Sequence, residues 1–295
     1  MKAARYSEYG GPEVLQIVEI DKPEAKDGQV IVEVHAAAIN PFDFKVRAGM
    51  MKDFIPLELP ITIGADFAGV IVQAAGDYKE GDEVFGSAIT LNGGSGAVAE
   101  YAAVNIKNMT AKPANVSAQE AAAVVLTGVS AIQALNQLSL GEGKKVLIHG
   151  GAGGIGTAAI QYAKHLGAYV ATTAQAKDKD YVSGLGADEV IDYEAQKFDE
   201  MLQDFDAVFD TVGGDTYTRS FKILKDGGTI ISMVEQPVEG IAKEKNVTAL
   251  YQSTNVKTES LNELKELIEA GVIKPHVDGE FPLGEAGDAF RDLGS

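Results

Sequence analysis

A chain of 295 residues, of which 45% are hydrophobic, is long enough to form two packed domains and is not disordered by composition. It contains no cysteine, which excludes disulfides, thiolate nucleophiles, iron–sulfur clusters and cysteine-ligated zinc. The formal net charge of −18 disfavours nucleic-acid binding, and no apolar run is long enough to span a membrane. The first residues also lack the apolar core of a signal peptide, so we expect a cytoplasmic protein that binds neither nucleic acid nor membranes.

Residues 1–118 are predicted to form a β-rich domain. Runs of β-branched residues at 30–36 and 67–72 have the composition of strands, and Gly, Pro and Asn separate such runs. A capping-box pattern at Ser117 and Glu120 ends this region, because a hydroxyl and a carboxylate three residues later satisfy N–H groups at a helix start. Two helices are predicted to follow.

Residues 119–252 alternate between short β-branched runs and helical segments. Such alternation is typical of an α/β fold with a doubly wound parallel sheet, the Rossmann fold. The predicted strands are 145–149, 169–173, 190–193, 207–210 and 228–232. Residues 253–295 are predicted to return to the first domain with a helix over 260–269 and a polar β-like tail.

A glycine-rich turn, Gly151-Ala152-Gly153-Gly154-Ile155-Gly156, joins the first of these strands to its helix. Glycines at this spacing between a strand and a helix predict a dinucleotide site. Gly151 would allow the tight turn, Gly153 the approach of a pyrophosphate, and Gly156 the close packing of helix on strand. The alternative is a plain connection between strand and helix. His149, just before the turn, is interpreted as a core residue rather than a catalytic one.

The end of the second Rossmann strand favours NADPH over NADH. An NAD site usually has Asp or Glu there, about 20 residues past the glycines, to bind the ribose 2′-hydroxyl. Here Thr173 is followed by Lys177 with no acid between them. A small polar group and a lysine suit the additional 2′-phosphate of NADPH. The alternative is that Lys177 is a solvated surface lysine beside Asp178 and Asp180.

Further motifs along the chain occur in the order of one known family. They are residues 1–3, 10–15, 37–43, 64–70, 81–86, 126–128, 185–188, 210–213 and 270–275. With them, the chain resembles the zinc-independent quinone oxidoreductases of the medium-chain dehydrogenase/reductase superfamily. The resemblance implies a GroES-like catalytic domain beside the Rossmann domain, a substrate cleft between them, and a homodimer. It also implies NADPH-dependent reduction of quinones or α,β-unsaturated carbonyl compounds by hydride transfer.

The residues that bind zinc in related dehydrogenases are missing. Zinc-dependent members have a cysteine near Asn40 and Gly-His-Glu where this chain has Gly64-Ala65-Asp66. Ala65 thus replaces the histidine. The histidines of the chain, none of which forms a close pair in sequence, are His35, His149, His165 and His276. We therefore expect no metal site.

The resemblance assigns catalytic roles to residues after the first long strand. Asn40 matches the active-site asparagine, whose amide can donate a hydrogen bond to the substrate oxygen as charge builds there. The alternative is a turn residue before proline. Asp43 follows at the family spacing, and Lys45 is a candidate proton donor after hydride transfer. Asp43, Lys45 and Arg47 can form either a polar wall or a solvated face. Many relatives have a tyrosine shortly afterwards, where this chain has Met50 and Met51, so the substrate preference can differ.

The resemblance also assigns the cofactor contacts. They are Thr127 near the nicotinamide, Gly153, Gly154 and Ile155 at the pyrophosphate, Lys177 and Tyr193 near the 2′-phosphate, and Val212 and Gly213 at the ribose. Tyr193 can instead be a packed surface tyrosine. The rival function is a dinucleotide-binding sensor or scaffold without turnover. Relatives continue past a helix near 286–293 into another strand, so either the sequence is shortened or the domain lacks that strand.

Overall fold

The structure is a computed structural model in which residues 1–54 and 56–293 are described. The chain forms two compact units. The first comprises Met1–Leu126, Val256–Glu269 and Pro275–Ser295, and the second comprises Thr127–Asn255 and Ala270–Lys274. The chain end at Gly294 and Ser295, where the sequence leaves open a missing strand, lies outside the described residues.

The first unit is built on two antiparallel sheets. Its strands are β1 (Lys2–Tyr6), β2 (Gln16–Glu19), β3 (Gln29–Ala38), β4 (Ile61–Thr62), β5 (Asp66–Gln73), β6 (Glu83–Ser87), β7 (Tyr101–Asn105) and β8 (Met109–Ala111). The order is β2-β1-β4 in one sheet and β7-β3-β5-β6-β8 in the other. In the larger sheet Ala38, at the end of β3, pairs with Asp66, at the start of β5. This register brings the segment after β3 beside Asp66.

Helices complete the first unit. They are α1 (Pro41–Arg47), α2 (Ala118–Ala123), α9 (Thr258–Glu269) and α10 (Ala286–Leu293). The capping box at Ser117 and Glu120 begins α2 as predicted. This helix packs on β3 and β5, which explains why the first unit extends to Leu126 rather than ending at residue 118.

The end of the chain differs from the prediction of a β-like tail. No strand occurs among the described residues after α9, and the chain forms α10 instead. Ala286 and Phe290, four residues apart on one face of α10, are buried beside Tyr6 of β1. The tail therefore joins the first unit through an amphipathic helix, which lies where the resemblance implies one, near 286–293.

The second unit is a six-stranded parallel sheet with helices between its strands, which confirms the Rossmann prediction. Its strands are β9 (Lys145–Ile148), β10 (Tyr169–Ala174), β11 (Glu189–Asp192), β12 (Phe205–Asp210), β13 (Leu224–Ser232) and β14 (Thr248–Tyr251). Its helices are α3 (Val125–Leu135), α4 (Gly154–His165), α5 (Lys179–Gly184), α6 (Phe198–Met201), α7 (Gly214–Ser220) and α8 (Glu239–Glu244).

The strand order β11-β10-β9-β12-β13-β14 decides where a ligand can bind in this unit. From β9 the chain proceeds outward to β10 and β11, then returns to β12 on the other side of β9. In open parallel sheets, ligands bind at the carboxyl ends of strands at such a reversal point. The loops after β9 and β12 therefore frame the expected site. None of the helices in the described part of the chain has the length and apolar character needed to cross a membrane.

Candidate functional site

The glycine-rich turn connects β9 to α4, as predicted. Gly150, directly after His149, has a φ of +71°, a left-handed conformation that favours glycine. Gly151 does not adopt that conformation, so Gly150 makes the tight turn that the sequence assigned to Gly151. The Gly151 N–H donates to the Thr173 carbonyl at 2.9 Å, and the Gly153 N–H donates to the Gly150 carbonyl at 3.0 Å. These bonds fix the turn against β10.

The start of α4 presents unpaired backbone donors. Gly153 is the N-cap of this helix, so the N–H groups of residues 154–156 have no acceptor within the helix. The helix dipole adds partial positive charge at the same end. A helix start of this kind binds phosphate groups without a charged side chain.

The glycines of the turn have different surroundings. A Cβ on Gly156 would overlap the Gly150 carbonyl oxygen, and a Cβ on Gly151 would overlap the Thr172 hydroxyl. A Cβ on Gly153 would meet one described atom within 4 Å, the Gly150 oxygen at an ordinary 3.4 Å. Gly151 and Gly156 thus allow neighbouring atoms of the protein itself to pack closely, whereas the space beside Gly153 is open to a ligand.

Buried side chains support the turn from inside the second unit. The Thr173 hydroxyl accepts a hydrogen bond from the Gly150 N–H at 3.1 Å and lies 3.2 Å from Nδ1 of His149. The other ring nitrogen of His149 lies 2.9 Å from the Ser220 hydroxyl. Burial, with a smaller effect from the positive charge of Arg219, lowers the pKa of His149 to about 3. His149 is therefore a neutral core residue, as interpreted from the sequence.

The loop after β12 is held beside the glycine turn. The Thr211 hydroxyl donates to the His149 carbonyl at 2.9 Å. The buried Asp210 carboxylate accepts the N–H groups of Val212 and Gly213 at 3.1 and 3.0 Å, and the Ser232 hydroxyl at 2.7 Å. Sequence reasoning named the loop residues and missed Asp210, whose place at the carboxyl end of a parallel strand was the available indication.

Thr127 and Val212 both adjoin the turn. A Cβ on Gly154 would lie 2.9 Å from Cγ2 of Thr127, and one on Gly150 would lie 3.6 Å from Cγ2 of Val212. Val212 keeps 55% of its surface exposed. The structure thus brings the residues predicted at the nicotinamide and at the ribose to the two sides of the glycine turn.

The residues predicted at the 2′-phosphate follow two adjacent strands. Lys177 lies in a single 3₁₀ turn after β10, and Tyr193 follows β11 with 54% of its surface exposed. Lys177 forms no ion pair with Asp178 or any other described residue. One acid does contact the end of β10: the Glu194 carboxylate accepts a hydrogen bond from the side-chain amide of Gln175 at 2.9 Å. Sequence reasoning considered the end of β10 alone and missed this acid.

In the first unit, Asn40 lies between two buried carboxyl groups. Its backbone N–H donates to Oδ2 of Asp43 at 2.8 Å, and its side-chain nitrogen donates to Oδ2 of Asp66 at 2.9 Å. The same Asp66 oxygen accepts the Leu126 N–H at 3.0 Å. Asn40 is the N-cap of α1, with Pro41 in the first helical position. Asn40 is thus a turn residue before proline, and its side chain also makes a hydrogen bond to a buried carboxyl group.

Both carboxyl groups are shifted toward their neutral forms. Burial raises the pKa of Asp43 to about 7. Burial, with a smaller contribution from the negative charge of Asp43, raises the pKa of Asp66 to about 8. Oδ1 of Asp66 is buried and has no hydrogen-bond partner among the described residues. Sequence reasoning met Asp66 only as the neighbour of a missing zinc ligand; an acid opening an otherwise apolar strand was the available indication.

Lys45 and Arg47 are placed differently from Asp43. Lys45 is half-buried on α1, and its side chain has no hydrogen bond or ion pair with the described residues. Residues two apart on a helix do not face each other, so Lys45 and Asp43 diverge. Arg47 is buried, donates from Nε to the Gly10 carbonyl at 3.3 Å and lies over the Phe290 ring. Asp43 and Arg47 therefore do not form a solvated face.

The residues present do not fit a catalytic zinc. Ala65 has no ligand atom, and the described part of the chain contains no group of three His, Cys, Asp or Glu residues placed to hold a metal ion. A zinc site needs at least three such protein ligands.

Comparisons with known proteins agree with this architecture. The sequence matches the family description "Alcohol dehydrogenase GroES-like domain" over residues 26–114 and "Zinc-binding dehydrogenase" over residues 185–295. It is 37% identical to the chloroplastic NADPH-dependent alkenal/one oxidoreductase of Arabidopsis thaliana, over 99% of this chain and 76% of that protein. The first match confirms that the β-rich unit is GroES-like.

Solved structures of similar fold cover almost the whole chain. The quinone oxidoreductase from Coxiella burnetii has a TM-score of 0.91 at 32% identity, covering 100% of this chain and 95% of that one. Escherichia coli quinone oxidoreductase complexed with NADPH has a TM-score of 0.88 at 29% identity, covering 99% and 96%. The chain is an oxidoreductase and belongs to the quinone oxidoreductase family of the medium-chain dehydrogenase/reductase superfamily.

Proposed function

We propose that the protein is an NADPH-dependent reductase of quinones or α,β-unsaturated carbonyl compounds that works without zinc. The observation that carries the proposal is the open face of Gly153 at the start of α4, with Thr127 and Val212 on either side of the turn. The names of the relatives support it, since one is an NADPH-dependent alkenal/one oxidoreductase and another a quinone oxidoreductase.

The second unit offers donors and positive charge suited to NADPH. The N–H groups of residues 154–156 are proposed to bind the pyrophosphate, with Thr127 toward the nicotinamide and Val212 and Gly213 at the ribose. Lys177 and Tyr193 are proposed to bind the 2′-phosphate, and the absence of an ion pair between Lys177 and the described residues supports this role for the lysine. When bound, NADPH supplies a hydride from C4 of its nicotinamide ring.

Asn40 is proposed to donate a hydrogen bond to the substrate oxygen, where negative charge builds as the electrophilic carbon accepts the hydride. The side-chain nitrogen of Asn40 carries two hydrogens. One is directed to Asp66, and no described residue accepts the second. Asp43 fixes the backbone of Asn40 at the start of α1. The proton that completes the reduction is proposed to come from Lys45, which is half exposed, or from water.

Independence from zinc is part of the proposal and is supported by Ala65, which leaves the metal without one of its usual ligands. A conjugated substrate needs less polarisation than an alcohol, because its own π-system spreads the developing charge. Elemental analysis of active protein is expected to find zinc far below one ion per chain. Stoichiometric zinc that is required for activity would contradict this part of the proposal.

The direct test measures NADPH consumption at 340 nm with a panel of quinones, enals and enones, and with NADH as the control. At least one class is expected to be reduced, faster with NADPH than with NADH, and Asn40→Ala is expected to lower kcat. If the protein binds NADPH but consumes none with any member of the panel, the rival function of a sensor or scaffold without turnover replaces the proposal.

A homodimer and a cytoplasmic location are further parts of the proposal. β14 is an edge strand, hydrogen-bonded in its sheet to β13, and Tyr251 at its end is 44% exposed. The edge strand of a sheet can pair with a second copy of the chain. Light scattering is expected to give twice the chain mass of 31.0 kDa, and a mass of 31.0 kDa would contradict the dimer. Cell fractionation tests the location.

A further inference from the structure

Asn40 can perform its proposed role in only one of two orientations. The oxygen and nitrogen of an amide group occupy nearly the same shape, so a half-turn of the side chain exchanges an acceptor for a donor. Only the nitrogen can stabilise negative charge on a substrate oxygen. Some neighbour must therefore distinguish the two ends of the amide.

Asp66 makes this distinction through a hydrogen bond to the nitrogen, and the capping box of α1, in which the Asn40 side chain faces the Asp43 backbone N–H, favours the same orientation. Its Oδ2 accepts the Asn40 side-chain nitrogen at 2.9 Å, and an ionised carboxylate can only accept. The amide oxygen of Asn40 in that place would face another oxygen. We propose that Asp66 is a positioning residue for the reduction: it holds the Asn40 amide with its nitrogen on Oδ2 and leaves the second N–H for the substrate. This inference rests on the proposed function of Asn40.

Asp66 is itself fixed firmly enough for this role. It is 1% exposed and opens β5, where it pairs with Ala38 of β3 and Ser87 of β6. The Leu126 N–H fixes the orientation of the carboxyl group by donating to the same oxygen, Oδ2. A side chain held by two strands and a backbone donor has little freedom to follow a flipped amide.

The observed orientation of Asn40 is compatible with either protonation state of Asp66, and the ionised carboxylate enforces it more strongly because it can only accept. Both lone pairs of Oδ2 are engaged, by Asn40 and by Leu126, whereas Oδ1 has no donor among the described residues. The proton of the neutral acid therefore belongs on Oδ1, and Oδ2 remains an acceptor. Burial and the facing carboxyl of Asp43 raise the pKa of Asp66 to about 8, so the neutral acid is well populated near neutral pH. A neutral Asp66 also avoids repelling the charge that builds on the substrate.

The structure separates the role of Asp66 from that of Asp43. Asp43 accepts the backbone N–H of Asn40 and so fixes where the residue lies. Asp66 accepts the side-chain N–H and so fixes which way the amide faces. Removal of the Asp66 carboxyl should therefore lower turnover through Asn40, and it also leaves the Leu126 N–H without its acceptor, which is why NADPH affinity has to be measured alongside kcat.

The test combines Asp66→Ala, Asp66→Asn, Asn40→Ala and the double variant in NADPH-consumption assays. Asp66→Asn keeps an oxygen at Oδ2 and places NH₂ at the unpartnered Oδ1, so kcat is expected to stay within about threefold of wild type. Asp66→Ala is expected to lower kcat at least about tenfold, toward the value of Asn40→Ala. In the Asn40→Ala background, Asp66→Ala is expected to lower kcat no further. NADPH affinity, measured by cofactor fluorescence, should be the same in all four. The exposed Asp27→Ala is the matched control.

Two results would overturn the inference while leaving the proposed function intact: an active wild type with unchanged kcat in Asp66→Ala, or effects of the two alanine variants that multiply. A wild type that reduces nothing contradicts the proposed function instead. A second measurement depends neither on activity nor on the folding of the alanine variant. It follows hydrogen exchange of the Asn40 side-chain amide by NMR in protein labelled with ¹⁵N-asparagine. One of its protons is expected to exchange slowly in wild type and in Asp66→Asn. Exchange as fast as that of an exposed asparagine would contradict the proposal.

Discussion

Alanine substitutions at two glycines of the turn separate packing from ligand binding. In Gly156→Ala the new Cβ would overlap the Gly150 carbonyl oxygen, a backbone atom that cannot move without distorting the turn. Overpacking of this kind costs about 1–3 kcal/mol, which lowers Tm by about 2–10 °C. In Gly153→Ala the new Cβ meets the same oxygen at 3.4 Å, and the residue already has φ −76° and ψ 162°, which alanine adopts readily.

Gly153→Ala is therefore expected to melt within about 1 °C of wild type. Alanine is a poorer N-cap residue than glycine, which lowers the free energy of unfolding. It also makes the unfolded chain less flexible, which raises the free energy of unfolding by a similar amount. The added methyl group projects into the open face, where the pyrophosphate is proposed to lie. Loss of one or two charge-assisted hydrogen bonds of about 1.5 kcal/mol each weakens NADPH binding about 10- to 100-fold.

The assays are thermal melting followed by circular dichroism and titration of NADPH followed by its fluorescence. Gly184→Ala is the matched control, because a Cβ there has no described atom within 4 Å; it should leave NADPH affinity unchanged and should not lower Tm, since alanine is the better helix former at the end of α5. Unchanged NADPH affinity in Gly153→Ala would refute the placement of the pyrophosphate. An unchanged Tm in Gly156→Ala would refute the packing argument.

Three further predictions follow from side chains around the site. Lys177→Ala is expected to weaken NADPH binding about 3- to 10-fold while leaving NADH binding unchanged, because only NADPH carries the 2′-phosphate; equal losses for the two would contradict this. Asp210→Ala leaves the N–H groups of Val212 and Gly213 without their acceptor, so stability should fall by about 1–3 kcal/mol and NADPH should bind more weakly. Burial raises the pKa of Asp43 to about 7 and of Asp66 to about 8, so both groups stabilise the folded state when they are protonated. Their stabilisation is complete below about pH 4 and is lost as the pH rises through 7 to 8. In urea unfolding at pH 6 and pH 9, Asp66→Asn should lose less stability than wild type, and an equal loss would argue against the raised pKa.

The sheet of the second unit was predictable because its strands are short β-branched runs separated by helices. The strand 169–173 was predicted to within one residue of its observed end, and the helix was predicted directly after the glycine-rich turn, where α4 begins. Buried parallel strands carry this pattern continuously in sequence. The polar tail lacked such a pattern, so composition indicated a β-like tail, whereas the resemblance implied the helix near 286–293 that the structure shows as α10.

The candidate site was predictable where one segment carries the chemistry. The glycine turn is local, and its spacing is the consequence of the packing seen at Gly151 and Gly156. Asp66 and Asp210 were missed because their partners are distant along the chain: Asp66 meets Asn40 through the pairing of β3 with β5, and Asp210 meets Ser232 through that of β12 with β13. Such neighbours depend on strand register, which composition does not reveal.

The most direct test of the central claim follows the transferred hydrogen. Protein incubated with an α,β-unsaturated ketone and NADPH deuterated at nicotinamide C4 should give the saturated ketone with one deuterium at the β-carbon, and a quinone should give hydroquinone with matching NADPH loss. The α-proton of the saturated ketone should come from solvent or from a protein group that exchanges with it. NADPH consumption without deuterium in the ketone, or no consumption with any ketone or quinone tested, would contradict reduction by hydride transfer at this site.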